Sequence, residues 1–221
     1  MKGRERARLA ALVRGQGFLD KFADRVAEVN KAGVRRELDA CVRDVERRAA
    51  IQVRMRDRAA VQAERKQRLR EVLRLKHIGP LVPIAQATYR PGPSDLRRLT
   101  LPWRRVSDAK LVTAAAAIAN VVEKHPARLL EERLPVTFVG ELRAAAAAVE
   151  RARLEGWAAR GERHVATVGI RISLARGRKA LTVLRTLLVR KLGRKSSLIR
   201  VWDSETRVRR KPGRKRMRRT E

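Results

Sequence analysis

Aromatic residues, cysteines and acidic residues are all scarce in this 221-residue chain, and each shortage narrows what the protein can be. Aromatic side chains make up only 3% of the sequence, so a hydrophobic core has to be built from Leu, Val, Ile and Ala, which suits closely packed helices. The single cysteine, Cys41, excludes an intrachain disulfide and a metal site made of thiolates. Because Cys41 shares an apolar helical stripe with Leu38 and Val45, we interpret it as a core residue and not as a nucleophile.

Long apolar runs and catalytic patterns are also missing. No uncharged stretch reaches the roughly 20 residues of a membrane helix, and no apolar run follows the basic N-terminus as in a secretory signal. We therefore expect a soluble, cytoplasmic protein without integral membrane insertion. The three histidines lie far apart in sequence, and none belongs to a HExxH-type pair. We expect no catalytic residues, no metal, no cofactor and no small-molecule substrate, and hence a protein that is not an enzyme.

The shortage of acidic residues is most marked near the C-terminus. The chain holds 55 Lys and Arg against 23 Asp and Glu, a net charge of +32, and half of this excess belongs to residues 161–221. Residues 163–202 contain 11 Lys or Arg and no Asp or Glu. Charge of this size attracts polyanions. The positive charge also has a second explanation, which is a GC-rich coding bias. Such a bias favours arginine over lysine and produces abundant alanine, and this chain has 43 arginines and 12 lysines.

Hydrophobic periodicity predicts helices along most of the chain. We expect a first helix over residues 4–30, which Gly15 or Gly17 interrupts, and a long second helix over residues 33–77. Further helices are expected from a cap at Ser107 or Asp108 to about residue 125, from Thr137 to about Gly161, and over residues 163–193. The buried stripe of the helix after Thr137 is predicted to consist of Phe138, Leu142, Ala145, Val149, Ala152 and Trp157.

Residues 168–174 alternate between apolar and polar side chains, which is the pattern of a strand. A single strand in a helical chain has no partner, so we favour helix there and keep strand as the alternative. After Gly177, the residues Ala180, Leu181, Leu184 and Leu188 fall on one half of a helical wheel, whereas the basic residues fall on the other. This pattern predicts an amphipathic helix with a cationic outer face.

These elements together predict an all-α protein. We expect a helical bundle of five or six helices, two of them long (residues 33–77 and 163–193), in one domain over residues 1–203. A disordered, flexible basic tail is expected over residues 204–221.

Several segments together resemble a family of uncharacterised, all-helical bacterial proteins of about this length. They are His77-Ile78-Gly79-Pro80, Pro83-Ile84-Ala85-Gln86-Ala87, Leu134-Pro135 with Phe138 and Leu142, and Gly177-Arg178 with Val183-Leu184 and a closing Trp202. Because that family has no established activity, the resemblance implies a helical domain and little else. The present chain is more basic than that family, and its tail after Trp202 is an addition to the family's pattern.

Charge gives the only functional signal with a mechanism. Lys and Arg side chains that meet phosphates release condensed counterions, so a row of them binds nucleic acid without reading its sequence. We predict non-enzymatic binding to nucleic-acid phosphates, with DNA favoured over RNA. Two alternatives stay open: a helical assembly protein, such as a homo-oligomer, and a peripheral binder of anionic membranes. The predicted nucleic-acid-binding residues are Arg178, Lys179, Arg185, Arg190, Lys191, Arg194, Lys195, Arg200, Arg207, Arg209, Arg210, Lys211, Arg214, Lys215, Arg216, Arg218 and Arg219.

Overall fold

The computed structural model describes residues 1–88, 102, 105–124 and 135–209, and every regular element within them is a helix. In chain order these are α1 (Gly3–Lys21), α2 (Ala27–Lys31), α3 (Gly33–Val72), a π-helical segment (Leu73–Ile78), α4 (Gly79–Thr88), α5 (Asp108–Glu123), α6 (Phe138–Leu192) and α7 (Ser197–Glu205). Because α3, the π-helical segment and α4 follow one another without a gap, the described residues form six helical runs, two of them long. The predicted all-α class with five or six helices is confirmed for this part of the chain.

The chain divides into two compact units. The first comprises Met1–Arg54 and Glu162–Glu221, of which the structure describes residues up to 209, and the second comprises Met55–Gly161. Helices α3 and α6 contribute residues to both units. The single domain over residues 1–203 stays a prediction.

The core of the first unit is aliphatic, with two aromatic side chains at its centre. Trp202 on α7 is only 1% exposed and meets Phe18 of α1 edge to face, with 5.3 Å between the ring centroids. The leucines predicted to form the apolar face of the last helix lie in the same cluster. The amphipathic pattern after Gly177 is therefore confirmed.

Two glycines let α1 and α6 approach each other closely. A Cβ atom added to Gly15 would lie 2.6 Å from Cδ2 of Leu181, and one added to Gly177 would lie 2.5 Å from Cδ1 of Leu12. A Cβ atom at either position would overlap the end of a leucine side chain, so a larger residue there would require that leucine to move. This close packing places the middle of α1 beside the C-terminal third of α6.

A polar cluster links α3 to α6 within the first unit. Asp44 accepts hydrogen bonds from Nε of Arg48 at 2.7 Å, from Oγ of the buried Ser173 at 2.5 Å and from Nη2 of Arg47 at 2.6 Å. Burial raises the pKa of the Asp44 carboxyl, but these three hydrogen bonds outweigh it and bring the pKa well below its ordinary value. The carboxylate therefore stays ionised and holds the register of the two helices.

In the second unit, the start of α5 is anchored by Asp108. Ser107 caps the helix by accepting a hydrogen bond from the Lys110 backbone amide, as predicted. Asp108 pairs with Arg70 and, at 2.7 Å, with Nζ of Lys66. Burial raises the pKa of the Asp108 carboxyl, but the hydrogen bonds from these two cations lower it by more. The α5 start is thus tied to α3, and Ile118 and Val122 of α5 lie in the unit's aliphatic core.

Three details of the predicted helices are different in the structure. The first helix ends at Lys21 and not near residue 30, and neither Gly15 nor Gly17 interrupts it. The chain turns after Lys21 because the Asn30 side chain donates a hydrogen bond to the Leu19 carbonyl and Val26 enters the core. The predicted end near Gly161 is also wrong, because α6 continues through it for a total of 55 residues. One glycine costs a helix about 1 kcal/mol, which is too little to end it without a proline or a cap.

The third difference concerns Trp157, which was predicted to be buried. Its side chain is 71% exposed and lies outside the buried stripe. The buried positions of this helix include Val149, Ala152 and Ala159, at helical spacing. Trp157 follows Ala152 by five residues, which turns it about 140° away on the helical wheel. Residues 168–174 are helical, as we favoured, so the strand alternative is excluded.

Candidate nucleic-acid interface

The first turns of α1 carry a dense group of arginines. Arg4, Arg6 and Arg8 are exposed, and none of them forms an ion pair within the part of the chain that the structure describes. The acid between them, Glu5, is directed inward. Its side chain accepts a hydrogen bond from the Lys2 backbone amide at 2.8 Å, lies 3.5 Å from Nε of Arg171, and leaves the residue only 8% exposed. The acid therefore stabilises the start of the helix and does not neutralise the exposed arginines.

These arginines line a groove of about 1000 Å³ in the first unit, which we call the arginine groove. Among the described residues, eleven line the groove, of which seven are arginine and none is acidic. The wall from α1 carries two alanines between its arginines, the wall from α6 contributes one arginine, and the residues after α7 complete the groove. The lining residues are Gly3, Arg4, Arg6, Ala7, Arg8, Ala10, Arg14, Arg178, Arg207, Val208 and Arg209.

The C-terminal wall of the groove is attached to α1 by Arg14. Its Nε donates to the carbonyl oxygen of Glu205 at 2.7 Å, and its Nη2 donates to the carbonyl oxygen of Arg207 at 3.0 Å. The same Nε lies 3.3 Å from the Glu205 carboxylate. These contacts hold the residues after α7 beside α1.

The structure brings together three of the predicted binding residues: Arg178, Arg207 and Arg209 all line the arginine groove. Five others are exposed outside the groove and form no ion pair among the described residues, namely Lys179, Arg190, Arg194, Lys195 and Arg200. The other seven predicted residues lie outside the described residues, as does most of the predicted flexible tail. These seven are Arg210, Lys211, Arg214, Lys215, Arg216, Arg218 and Arg219.

The remaining two predicted residues lie outside the groove and already have acidic partners. Nε and Nη2 of Arg185 donate to the two carboxylate oxygens of Asp203 at 2.6 and 2.8 Å, a bidentate pair. The hydrogen bond from Arg185 lowers the pKa of the Asp203 carboxyl, and the same pair raises the pKa of the guanidinium. Nζ of Lys191 donates to Glu28 at 2.9 Å, and this hydrogen bond lowers the pKa of Glu28. We call the exposed cations of α6 that follow Gly177 and lie outside the groove its outer face, namely Lys179, Arg185, Arg190 and Lys191. This outer face is therefore partly neutralised.

Sequence reasoning missed four residues of the groove, Arg4, Arg6, Arg8 and Arg14. A signal for three of them was present, because residues 2–8 hold four cations in seven positions at the start of a helix. Cations at that end oppose the helix dipole, which costs typically 0.3–1 kcal/mol each. The cations in the first turn of α1 therefore do not serve the stability of the helix. Binding of an anion is one function that explains their presence.

Elsewhere, the described residues offer less chemistry. A cavity of about 390 Å³ in the second unit is lined by residues of both charges, Gln67, Arg70, Glu71, Arg74, Leu75 and Leu111. Cys41 is buried, as predicted. The pKa of its thiol is raised, mainly by burial and to a smaller extent by the negative charge of the nearby Glu37. The described residues contain no group of three or more His, Cys, Asp or Glu able to hold a metal ion. In the same part of the chain, no helix is long and apolar enough to span a membrane.

Comparison with known proteins returned no match to a family model, to a curated protein or to a solved structure. Because no known protein suggests a function, a functional proposal has to start from the arginine groove.

Proposed function

We propose that this protein binds nucleic acid through the backbone phosphates, in the arginine groove and without enzymatic activity. The observation that carries the proposal is the composition of that groove: seven arginines and no acid, with six of the seven lacking an ion-pair partner among the described residues. Duplex DNA is the ligand that we propose.

The physical basis is the match between closely spaced guanidinium groups and closely spaced phosphates. Arg4 and Arg8 are separated by one helical turn, about 6 Å along the helix axis. A duplex presents one phosphate per about 3.4 Å of axis on each strand, so one turn of α1 covers the axial rise of about two phosphates of a strand. Guanidinium groups donate two parallel hydrogen bonds to a phosphate, and each contact releases counterions.

Such contacts position a protein on nucleic acid but carry no sequence information, because all phosphates are alike. We therefore propose sequence-independent binding that weakens steeply as salt is added.

The test is a salt series with a fluorescent duplex of about 20 base pairs, measured by anisotropy. We expect the logarithm of the affinity to fall linearly with the logarithm of the salt concentration for the natural sequence. The triple variant Arg4→Gln, Arg6→Gln, Arg8→Gln should lose up to about 2.7 from the magnitude of that slope, or about 0.9 per contact. Its affinity near 0.1 M salt should fall on the order of 10²-fold.

A matched control removes the same charge outside the groove. The triple variant Lys179→Gln, Arg190→Gln, Arg194→Gln changes three exposed cations that do not line the groove. We expect its slope to change by less than about 0.9, which is one contact. Equal losses for the two triple variants would show that net charge and not the groove determines binding. Binding to anionic vesicles without binding to the duplex would favour a peripheral membrane protein, and a discrete oligomer that binds neither would favour an assembly protein.

A further inference from the structure

Arg14 differs from the other arginines of the groove in what it contacts. Its side chain is 30% exposed, and both of its hydrogen bonds go to backbone carbonyl oxygens at the end of α7. Among the described residues, its only ion-pair partner is Glu205. Arg14 is therefore committed to the protein's own backbone, unlike the arginines available to an external anion.

The carbonyls that Arg14 contacts lack helical partners. The last four carbonyl groups of an α-helix have no intrahelical donor, and α7 ends at Glu205. The Thr206 backbone amide and hydroxyl both donate to the Trp202 carbonyl, at 2.9 and 2.8 Å, which closes the last turn. The carbonyls of Glu205 and Arg207 accept hydrogen bonds from Arg14 instead, and the cation also interacts favourably with the negative end of the helix dipole.

We propose that Arg14 is a positioning residue that fixes Thr206–Arg209 along α1. This inference rests on the proposed function, because its consequence is that Arg207 and Arg209 line the groove before any ligand arrives. Ordering a free segment during binding weakens affinity, so a segment that is already held binds more tightly.

Arginine is required for this role because of its shape. Its planar guanidinium presents donors in a rigid fork, so Nε and Nη2 reach two carbonyls separated by one residue. Lysine keeps the charge but has one nitrogen on a flexible stem, and it does not hold both carbonyls in the same geometry. The variant Arg14→Lys therefore separates the positioning role from simple attraction to phosphate.

The experiment compares Arg14→Lys with Arg8→Lys, a substitution of the same type at an exposed residue of the same groove. The first readout is the ¹H–¹⁵N heteronuclear NOE of the Val208 amide in the free protein, which reports motion on the picosecond to nanosecond timescale. We expect this NOE to fall for Arg14→Lys and to stay at its natural value for Arg8→Lys. The second readout is duplex affinity near 0.1 M salt, with a loss of about tenfold for Arg14→Lys and up to about threefold for Arg8→Lys.

A second variant covers the case in which lysine restores part of the contact. Arg14→Met keeps much of the aliphatic stem without any donor, and it should lower the Val208 NOE at least as far, while thermal unfolding confirms that each variant is folded. An unchanged NOE in both Arg14 variants overturns the positioning role. If the natural sequence does not bind the duplex, the proposed function fails, and the NOE still decides whether Arg14 holds the segment.

Discussion

Two cationic regions of the first unit, the arginine groove and the outer face of α6, contain similar residues in opposite electrostatic surroundings. In the groove, the one acid on the neighbouring turn, Glu5, is directed inward and buried. On the outer face, Asp203 and Glu28 come from neighbouring helices and pair with Arg185 and Lys191. The number of cations in a segment is therefore a poor measure of the charge that it offers to a ligand.

The ion pairs of the outer face change the net charge of that face more than they change the free energy of unfolding. The side chains of Arg185 and Asp203 are nearly half exposed, and pairs of this kind contribute about 0–1 kcal/mol. The same pair cancels one positive charge within a few ångströms, which removes one potential phosphate contact. The comparison thus predicts that adding or removing an acid changes ligand binding more than it changes folding.

Among changes to the acidic residues, the largest effect should come from placing an acid in the groove. Ala7 lies among the arginines of α1 and lines the groove. The substitution Ala7→Glu adds a carboxylate that pairs with a neighbouring arginine and repels phosphate, so we expect duplex affinity near 0.1 M salt to fall about tenfold. The measurement is anisotropy with the duplex, and Ala7→Gln is the control for the size of the new side chain. Equal affinities of the two variants would show that the groove is not where the duplex binds.

A smaller effect, in the opposite direction, should follow from removing acids on the outer face. The double variant Asp203→Asn, Glu28→Gln frees Arg185 and Lys191 from their partners. We expect duplex affinity to rise about two- to fivefold at 0.1 M salt, because charges within about 10 Å of a ligand still act at that ionic strength. Urea unfolding should show a loss of no more than about 1 kcal/mol from the Arg185–Asp203 pair. A loss of affinity would mean that the pairs position the interface and do not merely neutralise it.

The helices and their buried faces are predictable from the sequence because they depend on local periodicity. The leucines after Gly177, the Ser107 cap and the start of α3 at Gly33 follow from spacing and capping rules alone. Continuity of a helix through Gly161 does not follow, because the sequence signals an end there and a small local cost is overridden by the rest of the helix.

The groove is not predictable by the same means. Its described lining residues come from α1, from Arg178 of α6 and from the residues after α7, and these segments are far apart in the sequence. The pairing of Arg185 with Asp203 likewise depends on the turn between α6 and α7, where Gly193 adopts a positive φ of 79°. Sequence reasoning placed the charge in the last third of the chain, whereas tertiary packing selects three of those residues and adds four from the N-terminus.

The smallest expected effect is that of pH, and it tests whether the groove acts through arginine alone. Arginine stays protonated at every accessible pH, and the described residues that line the groove include no histidine and no acid. On the outer face, the Arg185 hydrogen bond keeps the pKa of Asp203 below its ordinary value of 3.8, so the pair persists on mild acidification. Because this pKa is depressed in the folded state, the pair stabilises the protein above pH 3.8 and is lost only as the pH falls through the lowered value.

We therefore expect duplex affinity at constant ionic strength to stay within about twofold between pH 5 and pH 8, since no group of either region changes its charge in that range. Anisotropy titrations at pH 5, 6, 7 and 8 provide the measurement, with the triple groove variant as the reference for binding outside the groove. Histidine is the side chain whose ordinary pKa lies within this range. An affinity that rose tenfold toward pH 5 would thus assign the interface to a surface that contains histidine, and the contrast between the groove and the outer face would no longer explain binding.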